Sequence, residues 1–166
     1  MSPDGSTVLF RALPPDLKFA TADKRILQQF ARALAKRIAG DRAFTCLVTN
    51  DRELHRLNRQ FLGHDYATDV LSFPAGESNG NLGELAISIE RAEVQASEFG
   101  HSRLDEVRIL MLHGLLHLIG LDHEKDRGEM ARAERKWRAA FGLPVSLIAR
   151  SRSGGRGRAR ERTVQP

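Results

Sequence analysis

Apolar residues recur along this chain with two different periods. Ile26, Leu27, Phe30, Leu34 and Ile38 follow helical spacing after Asp23, a candidate N-cap, and Gly40 stops the segment. Leu54, Leu57 and Phe61 form a second helical stripe, capped by Asn50 or Asp51. Glu90–Phe99 reads as a third helix closed by Gly100, and Leu104–Ile119 as a fourth. The fourth is apolar on most sides, which predicts a central position. Gly120 ends it by supplying a backbone conformation that other residues disfavour. A fifth helix, Glu124–Phe141, places Met130, Ala133, Trp137 and Phe141 on one face before Gly142 and Pro144 terminate it.

Four shorter stretches read as strands. Val8–Leu13 is ended by Pro14 and Pro15, Phe44–Thr49 contains Cys46, Thr68–Phe73 is ended by Pro74, and Leu82–Ile89 follows. A polar link over 76–81 joins the last two and favours antiparallel pairing. The expected fold is therefore α+β: a mixed sheet of about four strands packed by several helices. The order of elements argues against a doubly wound nucleotide fold, and Gly154, Gly155 and Gly157 do not form a phosphate loop between strand and helix. Cys46 is expected to be a small core hydrophobe.

The chain has 166 residues, 41% hydrophobic and 28% charged, which suits one domain with room for a tail. The expected division is a domain over 1–149 and a basic, Arg/Gly-rich disordered tail over 150–166. The formal net charge is +5, and the tail, with six Arg against Glu161, accounts for all of it. The domain is neutral overall. Nucleic acid is a reasonable partner for the tail, with a purely solubilising role as the alternative. A single Cys cannot form an internal disulfide, which favours a reducing compartment. Met1–Gly5 does not open a secretory signal, and the apolar run Ile109–Leu121 is too short to span a membrane.

Chemistry concentrates in His113-Gly114-Leu115-Leu116-His117-Leu118-Ile119-Gly120-Leu121-Asp122-His123. His113 and His117 are four apart and share one helix face. Gly120 permits a sharp turn that returns His123 as a third ligand. Three imidazoles with an open fourth position make a catalytic zinc arrangement. His55, His64 and His101 are expected at the surface. A peptide-cleaving zinc helix usually carries Glu directly after its first His, and here that position is Gly114. Glu84, Asp105, Asp122 and Asp126 are acidic candidates for activating water or orienting a ligating His.

These residues closely resemble the signature of the YbeY family of endoribonucleases, His-Gly-x-Leu-His-Leu-x-Gly-aromatic-Asp-His. Two further blocks match: Leu57-Asn58, Phe61, Asp65 and Thr68-Asp69-Val70-Leu71-Ser72-Phe73-Pro74; and Gly83-Glu84-Leu85-Ala86-Ile87-Ser88. The resemblance covers roughly residues 40–145. It implies a zincin-like α+β fold with a central metal-binding helix and one zinc ion held by His113, His117 and His123. It implies single-strand-specific endoribonuclease activity in maturing the 3′ end of 16S ribosomal RNA, and a part in ribosome quality control. It also implies ribosomal small-subunit particles as partners and a cytoplasmic location. Leu121 replaces the signature aromatic. Leu62 stands where many members carry an Arg that is regarded as important for cleavage.

Arg59 is the candidate for offsetting phosphate charge, with Arg56 nearby, and Ser72 is the candidate for a hydrogen bond to substrate or backbone. Asp69 is read as orienting a neighbour. The alternatives are a ribosome-assembly protein with a mainly structural zinc, which Leu62 favours, and a peptide hydrolase, which Gly114 disfavours.

Overall fold

The structure is a computed structural model that describes residues 5–63, 68–76, 80–122, 126–144 and 162–163. Its strands are β1 (Thr7–Phe10), β2 (Ala43–Thr49), β3 (Val70–Pro74), β4 (Asn81–Ser88) and β5 (Arg162–Thr163), in the sheet order β1-β2-β4-β3-β5. β1 pairs parallel with β2, β2 parallel with β4, β3 antiparallel with β4, and β3 parallel with β5. The parallel β1–β2 pair requires a crossover, which helix α1 (Thr21–Ile38) supplies. The hairpin expected from the polar link is the β3–β4 pair. This is the mixed α+β architecture expected, with one strand more.

Among the described residues there are four further α-helices: α2 (Asp51–Leu62), α3 (Ile89–Phe99), α4 (Arg103–Leu118) and α5 (Glu129–Ala140). Their starts follow local chemistry. The Asn50 carboxamide oxygen accepts from the Glu53 amide at 2.7 Å, the Ser88 hydroxyl from Arg91 at 3.2 Å, and the Ser102 hydroxyl from Asp105 at 3.0 Å. Gly100 closes α3 in the left-handed region.

Strand alternation divides the hydrophobic residues between the two sheet faces. Phe44, Cys46, Val48, Leu85 and Ile87 join the main core with α1 and α4. Leu71 and Ala86 point the other way and pack against Leu54, with Leu57 and Phe73 at the margin. α2 thus covers the face opposite α4. Helix α4 is buried from Val107 to Leu118 with the single exception of Arg108, as its all-round apolar character predicts.

Several expectations are corrected. α1 begins at Thr21 with Ala20 as its cap, so Asp23 lies in the first turn and benefits from the helix dipole instead. β1 stops at Phe10, two residues before Ala12 takes a positive φ of 55°. α5 begins at Glu129 after Gly128, while Glu124 and Lys125 lie outside the described residues. Phe61 is 56% exposed despite its helical spacing, because it lies on the last turn of α2, where its ring meets Phe73 edge-on at 6.0 Å. Arg162 and Thr163 form a strand although the tail carries no packing signal. Backbone pairing with β3 needs none. The rest of the 150–166 tail lies outside the described residues.

Candidate metal centre

His113 and His117 project from one face of α4 as neighbouring rings, their centroids 4.8 Å apart and their planes at 74°. Both are more than nine-tenths buried. Hydrophobic packing therefore holds two ligand-type side chains side by side at the centre of the fold.

A carboxylate that local sequence did not indicate completes this arrangement. Glu134 Oε2, on α5, lies 2.9 Å from His113 Nδ1. A carboxylate there fixes the proton on Nδ1 and leaves Nε2 as the lone-pair nitrogen. Arg138, one turn further along α5 and almost wholly buried, places Nη2 3.8 Å from the same Glu134 oxygen. The Arg charge lies beside the carboxylate that meets His113. No motif linked Glu134 to His113, because the two are 21 residues apart and meet only through the packing of α5 on α4.

The donor set fits zinc. It offers two imidazoles on one helix face, one of them oriented by a carboxylate through its other nitrogen. Among the described residues no group of three or more His, Cys, Asp or Glu is placed to hold an ion. His123, the third expected ligand, lies outside them.

Gly114 has a packing explanation. A Cβ at this position would fall 2.8 Å from Leu85 Cδ2, and Leu85 is itself only 1% exposed. α4 lies so close to β4 here that any side chain at this position requires the buried Leu85 side chain to move, which favours glycine. Ser72 acts on the same stretch of helix. Its buried hydroxyl donates to the Gly114 carbonyl at 3.2 Å and fastens β3 to α4 beside His113. Of the two roles expected for Ser72, this is the bond to backbone.

The remaining candidates are dispersed. Arg59 is exposed on α2, on the face of the sheet opposite α4. Arg56 is held by Glu53 at 2.7 Å and by Gln60, and that pairing draws the Glu53 carboxyl below its ordinary range. Asp69 is buried and accepts from Gln95 Nε2 at 2.7 Å, joining β3 to α3. Asp126 caps α5 by accepting from Gly128 and Met130 amides, Asp105 pairs with Arg108, and Glu84 is exposed on β4. Asp122 lies half-buried just beyond α4.

His101 departs from its surface expectation. Its side chain is 6% exposed, its Nε2 lies 2.6 Å from Glu106 Oε1, and its ring stacks on Phe99. The polar context of His101 hid this, because burial comes from the turn between α3 and α4. His55 is half-buried, and His64 lies outside the described residues. Cys46 is fully buried, and desolvation pushes its thiol up to about 12.

A mixed α+β sheet carrying a buried histidine pair on its central helix defines the class of protein. Comparison with known proteins identifies the family within it. Residues 16–142 match the family model described as Endoribonuclease YbeY. An Endoribonuclease YbeY of Solibacter usitatus is 54% identical over 152 residues, covering 92% of this chain and 99% of its own. One from Koribacter versatilis is 51% identical over 118 residues, 70% of this chain and 77% of its own. One from Helicobacter pylori is 38% identical over 131 residues, 78% and 91%. The solution structure of TM1509 from Thermotoga maritima is 27% identical, with a TM-score of 0.57 over 81% of this chain and 89% of that one. The chain belongs to the endoribonuclease YbeY family.

Proposed function

We propose that this protein is a zinc-dependent endoribonuclease that cuts single-stranded RNA, acting in the cytoplasm on small-subunit ribosomal RNA and its particles. The observation that carries this reading is the buried His113–His117 pair with Glu134 on His113 Nδ1, in a chain of the YbeY family. His113, His117 and His123 are the proposed ligands of one zinc ion. When bound, zinc supplies Lewis-acid charge neutralisation at a phosphoryl oxygen and acidifies water.

The chain's own groups do the positioning. Glu134 holds the His113 proton at Nδ1 and orients the ring. Ser72 holds β3 against α4 and so sets the wall beside the histidines. We assign Arg59 to charge compensation for RNA phosphate away from the histidine pair, at an exposed position where it can meet a strand. In this mechanism Gly114 provides close packing, and the absence of a carboxylate there disfavours the peptide-hydrolase reading. No helix among the described residues is long and apolar enough to cross a membrane.

The test pairs metal analysis with cleavage of a structured RNA containing single-stranded loops. Wild type and a folded His117→Ala variant are compared. One zinc per chain with loop cleavage that depends on His117 is the expected result. Bound zinc without His117-dependent cleavage, on native ribosomal precursor as well, would establish an assembly protein with a structural metal.

A further inference from the structure

β3 has β4 on one side, and among the described residues two line its other edge. Leu71 lies opposite Arg162 and Ser72 opposite Thr163, and β5 also runs beside α4. Ser72 is the residue whose hydroxyl reaches the Gly114 carbonyl, next to His113. Arg162 and Thr163 therefore occupy the sheet edge that borders the histidine helix. An unpaired strand edge presents N–H and C=O groups that accept another strand. The segment that fills this edge comes from a stretch with six Arg and one Glu, the part of the chain that phosphate attracts most strongly.

We propose that the C-terminal segment at Arg162–Thr163 is an intramolecular cap on the β3 edge, and that single-stranded RNA competes with it for the approach to the histidine helix. The competition rests on the reading of RNA as substrate; the pairing does not. Two residues of ladder hold the cap, which suits an exchangeable contact. RNA has two ways to displace it: it needs the space beside α4, and its phosphates attract a tail rich in Arg.

The test uses the full-length, zinc-loaded chain. Arg162→Pro/Thr163→Pro removes the one amide donor of the pair that faces β3, and Arg162→Ala controls for the lost charge. Hydrogen exchange across β3, read by mass spectrometry without RNA, reports the cap. Fluorescence anisotropy with a short 2′-O-methyl oligonucleotide, which resists cleavage, reports the competition. The double-proline variant is expected to exchange faster at β3 and to bind the oligonucleotide about threefold more tightly, the scale of one net hydrogen bond. Arg162→Ala is expected to do neither. Unchanged exchange at β3 would overturn the cap. Faster exchange with unchanged or weaker RNA binding would overturn the competition. Faster exchange with no RNA binding by any form would overturn the RNA reading, while leaving the cap in place.

Discussion

His113 Nδ1 on α4 and Glu134 Oε2 on α5 lie 2.9 Å apart, across the packing of two helices. The contact orients a histidine on a helix face, as a metal ligand would need. Glu134→Gln keeps the shape and removes the charge. It is expected to weaken zinc affinity by about 10–100-fold while leaving the fold intact. Titration against a chromophoric chelator measures this. An unchanged affinity would reduce Glu134 to a packing residue.

Gly114 and Leu85 make a second specific prediction. Ala is about 1 kcal/mol better than Gly in a helix interior. Here its Cβ would press on Leu85 at 2.8 Å, and overpacking costs about 1–3 kcal/mol. Gly114→Ala is therefore expected to give no stabilisation and to cost up to about 2 kcal/mol. Shortening the neighbour in Gly114→Ala/Leu85→Ala is expected to remove the clash. A urea-melt double-mutant cycle should then show coupling of at least about 0.5 kcal/mol. A simple gain in stability from Gly114→Ala alone would contradict the close approach.

Ser72 is expected to act through position rather than chemistry. Ser72→Ala loses one buried hydrogen bond and is expected to cost about 1 kcal/mol in denaturant unfolding. Zinc affinity should change far less than in Glu134→Gln, because the Ser72 hydroxyl bonds to the Gly114 carbonyl, not to a carboxylate on a histidine ring. A large loss of RNA cleavage with unchanged stability would instead place the hydroxyl on substrate.

Cys46 should be inert in the folded protein. It is fully buried, with its thiol pushed up to about 12 from 9.0 by desolvation. A disulfide reagent at pH 8 is expected to react only after denaturation. The raised value also sets a sign. The folded state holds the thiol proton more tightly, so this contribution is fully present below pH 9.0 and is lost as pH rises from there toward about 12. Cys46→Ala should flatten that alkaline decline.

Much of this arrangement was legible in the residues alone. The helical period is intrinsic to the backbone, so four-residue spacing puts His113 and His117 on one face wherever α4 lies. Caps are equally local: Asn50 reaches three residues ahead, and Gly100 needs only its own backbone freedom. The all-apolar character of α4 announced its central place, and the polar link announced the β3–β4 hairpin.

What tertiary structure decided are relations between elements. Glu134 becomes the partner of His113 because α5 crosses α4 there, and no spacing rule spans those 21 residues. Gly114 is explained by Leu85 of a neighbouring strand, Arg59 is separated from the histidine pair by the sheet, and His101 is buried by the joint between α3 and α4. The edge pairing of Arg162–Thr163 uses backbone groups that every residue carries, so composition showed nothing of it. Periodicity and capping depend on neighbours a few residues away, whereas partner choice and burial depend on which surfaces meet once the chain has collapsed onto one core.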